Sequence, residues 1–269
     1  MKITLIAPGW KKEYKSRRKR SRVFSVPPLG LQNIAAVTPS DVEIDLIDEG
    51  IEEVTFDTDT DLVGITATSA GAPRAYEIGD GFQELGVPVV MGGPHVSYMV
   101  DEALEHCDSV VVGEGEGSWE TLIDDFRRGG KDALSKTYQN RAKPDLTNVP
   151  PPRQDMLKKD DYVITNTMHI TRGCPHNCSF CSVTDTFGRK IRCRPVEQVV
   201  EYVRKYAGKS LKDRTFIFLD DNIMANRRFA KELFRALIPF KILWISQASI
   251  NSAYDEEMLD LAAQSGCKG

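Results

Sequence analysis

The sequence predicts an α/β protein in which a doubly wound parallel sheet is followed by a second series of β/α units. Short apolar runs alternate with helical segments along most of the chain, a pattern typical of parallel sheets covered by helices. Small or polar residues follow most of these runs, at the strand ends where such sheets bind ligands. A polar segment that contains several prolines separates the two series.

The first series occupies residues 1–130 and predicts a Rossmann-type domain of five strands. Each apolar run has the length of a buried strand, and most are followed by a helical segment. The predicted strands are Lys2–Ala7, Val42–Ile47, Leu62–Thr66, Val87–Met91 and Ser109–Val112, with helices after Gly30 to about 37 and over 73–85, 97–106 and 118–128. We expect the ligand site of this domain beyond the carboxyl ends of its strands.

Residues 131–160 are expected to form a linker, in which Pro150–Pro152 hold an extended, semi-rigid segment. This segment either sets the spacing of two sites or is an ordinary connector. The second domain is expected over 161–269. Strands are predicted within 162–170, 215–219 and 242–245, with helices over 195–203, 225–237 and 255–263. This pattern predicts part of a β/α barrel, with sites at the carboxyl ends of the strands.

Three cysteines, Cys174, Cys178 and Cys181, follow the first strand of the second domain with the spacing C-x3-C-x2-C. Three close thiols are the wrong number for a closed set of disulfides, and they are one ligand short of a four-cysteine metal site. A metal site with three protein ligands leaves one coordination position open, where a substrate or cofactor can bind and react. The alternatives are a zinc knuckle or three unrelated buried cysteines. The other cysteines, which are isolated, are Cys107, Cys193 and Cys267.

The cysteine spacing, with Phe180 before the last cysteine, resembles the signature of radical S-adenosylmethionine (SAM) enzymes. The resemblance implies that the three thiolates hold a [4Fe–4S] cluster whose fourth iron binds the amino and carboxylate groups of SAM. One electron from the cluster would then break a C–S bond of the sulfonium and release a 5′-deoxyadenosyl radical.

The resemblance also implies SAM contacts at the strand ends of the second domain. Asp220 and Asp221 follow the second strand, where relatives hold the amino group with a Gly-Gly-Glu-like sequence. The alternative is that Asp221 or Asn222 caps the next helix. Gln247 and Ser249 follow the third strand and are expected to contact ribose or carboxylate. Phe180 is expected near the adenine, or else in the core.

Small residues at the strand ends of the first domain resemble a cobalamin (vitamin B12)-binding domain, although ordinary turns also use them. The loop after the first strand lacks the Asp-x-His-x-x-Gly sequence of many such domains. His95 follows the fourth strand, where we expect an ordinary hydrogen-bonding histidine. Cobalamin would therefore bind without a protein histidine on cobalt, or the domain has lost it. The expected cobalamin contacts are Thr68, Ser69, Gly92, Gly93, Pro94, Gly113, Glu114 and Gly115.

Composition restricts the partners and the compartment. The chain has 269 residues and a net charge of −4, so no global attraction to nucleic acid is expected. Lys11–Arg22 carries eight basic side chains and one acid, and forms either a solvated loop or a contact to phosphates or RNA. No signal peptide or long apolar span is present, which predicts a cytoplasmic protein.

The chain supplies three of the six β/α units that the resemblance implies. It ends at Ser265–Gly269, after a helix, which predicts a truncated chain whose third strand is an exposed edge.

The predicted function is cobalamin-dependent radical methyl transfer to an unactivated carbon of a small molecule or natural product, with flavodoxin or ferredoxin as reductant. Radical cyclisation or rearrangement is one alternative. RNA methylthiolation is another, but it requires a second three-cysteine cluster, and the first domain contains only Cys107. A non-catalytic module that binds cobalamin or a cluster is the last.

Overall fold

The computed structural model describes residues 1–9 and 26–269, so the basic run Lys11–Arg22 lies outside the described residues. The chain forms two compact units. The first contains residues 1–144 and 155–161, and the second contains residues 145–154 and 162–269. None of the described helices is both long and apolar enough to cross a membrane.

The first unit is built on a parallel sheet of six strands in the order β2-β1-β3-β4-β5-β6. The strand order reverses at β1, which creates a topological switch point between β1 and β3. The strands are β1 (Lys2–Ala7), β2 (Glu43–Asp48), β3 (Leu62–Thr66), β4 (Val89–Gly92), β5 (Ser109–Val112) and β6 (Thr137–Gln139). The predicted parallel α/β fold is confirmed.

Helices cover both faces of this sheet. One core cluster joins α2, α3 and α4 to Val63 and Met91, and the other joins α1 and α5 to Leu62 and Val90. Neighbouring residues of one strand thus pack on opposite faces of the sheet, because successive side chains of a β-strand alternate between the two faces. The helices are α1 (Leu29–Val37), α2 (Ala72–Glu84), α3 (Pro94–Tyr98), α4 (Val100–Ala103) and α5 (Ser118–Gly129).

Two features of the first unit differ from the sequence prediction. The single helix expected over 97–106 is two short helices, because Pro94 starts α3 early and Met99, at φ −118° and ψ 52°, interrupts the helical path. The sheet also has a sixth strand, β6, within the segment 131–160 that was expected as a linker. β6 pairs in parallel with β5 and buries Tyr138 between two exposed neighbours.

The second unit contains a parallel sheet in the order β11-β10-β7 and a small antiparallel pair, β8 with β9. Its core packs Phe216, Phe218 and Trp244 of the strands against Phe234 of α9. The strands are β7 (Asn166–Met168), β8 (Thr171–Arg172), β9 (Arg192–Cys193), β10 (Thr215–Phe218) and β11 (Leu243–Ile245). The helices are α6 (Val183–Phe187), α7 (Val196–Tyr206), α8 (Leu211–Arg214), α9 (Arg227–Leu237) and α10 (Glu256–Gln264).

The prediction that the third strand of this unit, β11, is an exposed edge is wrong. Residues 266–269 run beside β11: Trp244 N–H donates to the Gly266 carbonyl at 3.0 Å, and Lys268 N–H donates to the Trp244 carbonyl at 2.8 Å. The turn requires glycine, because Gly266 has φ +100° and a Cβ there would overlap the Ile242 carbonyl oxygen.

Candidate functional site

The three predicted cluster cysteines lie on one loop between β8 and α6. Cys178 is exposed, Cys174 and Cys181 are half-buried, and all three are free thiols. Gly173 turns the chain into this loop with φ +94°, and a Cβ there would press on the carbonyls of residues 188 and 190. Cys174 N–H donates to the Gly188 carbonyl at 3.2 Å, which closes the base of the loop.

The loop gathers the cysteines without placing their sulfurs around a common point. Within residues 1–9 and 26–269, no three His, Cys, Asp or Glu side chains are arranged to hold a metal ion. The donor set nevertheless fits an iron–sulfur cluster, since three accessible thiols stand within eight residues and none is used in a disulfide. Their role as cluster ligands stays a prediction.

Phe180 is 90% exposed, although it is a large apolar side chain within the cysteine loop. The alternative that it packs in the core is therefore wrong. An exposed aromatic face beside the cysteines is available to a flat ligand such as adenine.

Asp220 lies at the carboxyl end of β10 and is only 1% exposed. Its carboxylate accepts the backbone N–H of Ile170 at 3.1 Å and also that of Thr171. These two residues lead directly into β8 and the cysteine loop. Burial raises the pKa of Asp220 to about 7, against the opposing effect of these hydrogen bonds. The expected SAM contact is thus engaged in holding the backbone that carries the loop.

Asp221, in contrast, is half-buried, and burial raises the pKa of its carboxyl. Of the two aspartates, it is the one whose side chain reaches solvent at the strand end. The structure leaves Asp221 as the carboxylate better placed to accept hydrogen bonds from a ligand ammonium group.

Asn222 does not cap the following helix. The cap of α9 is Asn226, whose Oδ1 accepts Phe229 N–H at 3.2 Å. Asn222 is buried, and its Oδ1 accepts Ser249 N–H at 3.1 Å. Ile223 N–H also donates to the Gln247 carbonyl at 3.0 Å. The ends of β10 and β11 are therefore joined, with the Gln247 side chain exposed and Ser249 half-buried.

Sequence reasoning missed a buried arginine in this unit. Arg194 follows β9 and is 1% exposed, and its guanidinium donates to Gln198 Oε1 at 3.1 Å and to the carbonyls of Val149 and His169. It thereby joins the end of β9 to the segment before the cysteine loop. A single arginine before a proline carries no signal that could have revealed this role.

The loops at the carboxyl ends of β3, β4 and β5 are joined by hydrogen bonds in the first unit. Ala67 N–H donates to the Gly92 carbonyl at 2.9 Å, and Gly113 N–H donates to Ser97 Oγ at 2.9 Å. His95 contacts Ser69 Oγ at 3.2 Å and the Tyr76 hydroxyl at 3.1 Å, as expected for a hydrogen-bonding histidine. The expected cobalamin contacts from Thr68 to Gly115 thus lie along one edge of the sheet.

The glycines at this edge divide into two groups. Gly93 has φ +104°, and a Cβ there would come within 2.8 Å of Thr66 Oγ1, while a Cβ at Gly115 would overlap Ile34. These two glycines are required by packing. Gly113 has φ +80° with nothing within 4 Å of a Cβ, and Gly92 has nothing closer than 3.8 Å. Of these four glycines, Gly113 faces open space and Gly92 has room for a Cβ in ordinary contact with Val111. The backbone at these two positions, called the open cradle below, fits the approach of a large flat cofactor such as cobalamin.

Comparison with known proteins identifies both domains. Residues 19–123 match the B12 binding domain family, and residues 168–269 match the radical SAM superfamily. A bacteriochlorophyllide d C-8(2)-methyltransferase of Chlorobaculum tepidum is 31% identical over 253 residues, covering 89% of this chain and 55% of that protein. A hopanoid C-2 methylase of Rhodopseudomonas palustris is 26% identical over 248 residues, covering 88% of this chain and 46% of that protein.

A shorter similarity involves a putative methylthiotransferase of Methanocaldococcus jannaschii, 35% identical over 109 residues, covering 37% of this chain and 23% of that protein. The chain spans about half the length of the two methylating relatives. The matched families imply cobalamin in the first domain and a [4Fe–4S] cluster with SAM in the second. The chain therefore carries a B12-binding domain followed by a domain of the radical SAM superfamily.

Proposed function

We propose that this protein is a cobalamin-dependent radical SAM methyltransferase that acts on an unactivated carbon. The observation that carries the proposal is the presence in one chain of a parallel sheet with an open glycine cradle and a C-x3-C-x2-C loop after β8. Relatives that match both domains are named as methylating enzymes of bacteriochlorophyllide and hopanoid, which supports the reaction type.

When bound, the cluster would supply one electron for the cleavage of SAM into methionine and a 5′-deoxyadenosyl radical, and cobalamin would supply the methyl group. The thiolates of Cys174, Cys178 and Cys181 hold three irons. The Asp221 carboxylate accepts hydrogen bonds from the ammonium of SAM. Phe180 offers an aromatic face to the adenine.

Other contacts of the two cofactors come from the strand ends. Gln247 and Ser249, which β10 and β11 hold beside each other, offer polar groups to ribose or carboxylate. In the first domain, the open backbone at Gly92 and Gly113 receives the corrin. The remaining contacts proposed there are Thr68, Ser69, Gly93, Pro94, Glu114 and Gly115.

His95 does not serve as a cobalt ligand in this proposal, because both of its ring nitrogens already face protein hydroxyl groups. Cobalamin therefore binds without a histidine from this position. The substrate is a small molecule or lipid with an inert C–H bond. A flavodoxin or ferredoxin, acting as a low-potential donor of one electron, reduces the cluster. The cytoplasmic location predicted from the sequence stays a prediction.

The test is anaerobic reconstitution of the chain with iron and sulfide, followed by iron analysis and visible spectra with SAM and hydroxocobalamin. We expect about four irons per chain. Replacing Cys174, Cys178 or Cys181 by alanine abolishes the cluster, whereas the matched changes Cys107→Ala and Cys267→Ala preserve it. Formation of 5′-deoxyadenosine from SAM and reductant distinguishes an enzyme from a cofactor-binding module. A chain that takes up zinc instead of iron refutes the proposal.

RNA methylthiolation has one observation in its favour, the partial similarity to a putative methylthiotransferase. That reaction requires a second three-cysteine cluster. The first domain contains Cys107 alone, which is buried and whose pKa burial raises to about 12. A buried, protonated lone thiol cannot supply that cluster, so methyl transfer is the better supported reaction.

A further inference from the structure

Two buried polar side chains of the first unit have no hydrogen-bond partner among the described residues. Gln32 is 0% exposed, and both its Oε1 and its Nε2 are unpaired. Ser118 is 4% exposed, and its Oγ is also unpaired. Buried polar groups in folded proteins are nearly always hydrogen-bonded, because an unpaired group has lost its water without replacement. Both residues therefore require an explanation.

Both side chains lie at the ligand-binding edge of the sheet. Gln32 is in the first turn of α1, which follows β1, and Ser118 is the first residue of α5, which follows β5. Because all strands are parallel, both helices begin at the carboxyl edge, and both cover the same face. Gly115, three residues before Ser118, lies against Ile34, two residues after Gln32. The starts of the two helices are therefore close neighbours.

The polar groups around these two residues are already paired with one another. Gly117 N–H donates to Glu120 Oε2 at 2.7 Å, and the Thr121 hydroxyl donates to the Gly117 carbonyl at 2.8 Å. Trp119 Nε1 donates to Thr38 Oγ1 at 2.8 Å. These neighbouring donors and acceptors are therefore paired, whereas the polar atoms of Gln32 and Ser118 contribute no hydrogen bond to the fold of the described residues.

We propose that Gln32 and Ser118 form a polar subsite that recognises a carboxamide group of the ligand bound at this edge. A carboxamide donates and accepts hydrogen bonds, which matches the amide of Gln32 and the hydroxyl of Ser118. An anionic group fits less well, since Glu114 and Glu116 are buried in the same loop. Cobalamin carries carboxamide groups around its corrin ring, and one of these groups is the proposed ligand of the subsite. The inference therefore rests on the proposed cobalamin binding, and it assigns Gln32 and Ser118 a part in the affinity for cobalamin.

The experiment measures hydroxocobalamin affinity by visible absorbance, together with the thermal midpoint of the cobalamin-free chain. We expect Gln32→Leu to weaken binding about tenfold, the equivalent of about 1.4 kcal/mol, without lowering the thermal midpoint. Ser118→Ala, a smaller change that tests the same subsite, is expected to weaken binding in the same direction. Thr38→Val, at the C-cap of α1, is the control, and it is expected to lower the thermal midpoint while leaving affinity unchanged.

The outcomes separate the subsite from the function on which it rests. If the wild-type chain binds no hydroxocobalamin, the proposed cobalamin function fails and the subsite fails with it. If the wild-type chain binds and both variants bind equally well, the subsite alone is refuted. A Gln32→Leu variant that loses thermal stability but keeps its affinity would assign Gln32 a structural role and would also refute the subsite.

Discussion

Replacing Asp220 tests most directly whether its carboxylate holds the backbone that leads into the cysteine loop. Its buried carboxylate accepts the N–H groups of Ile170 and Thr171, which carry the chain into the loop. Asp220→Ala leaves two buried donors unpaired, at about 1–3 kcal/mol each. Asp220→Asn retains an acceptor oxygen in the same place. We therefore expect the free energy of unfolding of Asp220→Ala to be about 2–6 kcal/mol lower than that of Asp220→Asn.

The comparison of aspartate with asparagine isolates the charge of Asp220. Burial raises its folded pKa from 3.8 to about 7. Because the folded pKa lies above the unfolded one, the stabilising contribution is complete below about pH 4 and is lost as the pH rises towards 7. A shift of about three pKa units corresponds to about 4 kcal/mol. The free energy of unfolding of the wild-type chain should therefore fall by up to this amount relative to Asp220→Asn between pH 4 and pH 7.

The assay is urea unfolding of the metal-free, reduced chain at several pH values, followed by the fluorescence of Trp244 in the core of the second unit. Changing Trp10 and Trp119 to phenylalanine leaves Trp244 as the single tryptophan of the chain. Parallel pH curves for the wild type and Asp220→Asn would refute the burial argument. Equal stability of the alanine and asparagine variants would refute the role of the two hydrogen bonds.

Three further predictions concern other parts of the chain. Gly113→Ala places a methyl group in the open cradle and should weaken hydroxocobalamin binding, while the free energy of unfolding falls by only about 1 kcal/mol. An unchanged affinity would show that the corrin does not bind against Gly113. Glu49→Gln breaks the partly buried ion pair with Arg74, which keeps its contact with Glu77, and should cost about 1–3 kcal/mol in thermal unfolding, a loss that an unaltered melting curve would disprove. Gly266→Ala should release residues 266–269 from β11 because of the clash with Ile242, seen as faster hydrogen exchange of the Trp244 amide, and unchanged protection would argue against that pairing.

The elements that the sequence predicts well are those with strong local signals. Leu62–Thr66 forms β3 with the predicted bounds, because a continuous apolar run between polar residues has few other ways to be buried. β6 was not predicted because only Tyr138 of its three residues is buried, which is too short a pattern to indicate a strand. Its pairing with β5 stabilises the strand, and that contact cannot be read from the local sequence. Similarly, the choice of Asn226 over Asn222 as a helix cap depends on where β11 lies.

The sequence by itself determined the parallel α/β class of the fold and the presence of three closely spaced thiols after a strand, because apolar periodicity and thiol spacing are local properties. Only the tertiary structure decided which polar side chains are free to meet a ligand. Asp220 is engaged by backbone donors from another strand, Asp221 is not, and Gly113 is open where Gly93 is closed. These distinctions arise from contacts between segments far apart in the chain, which no local pattern encodes.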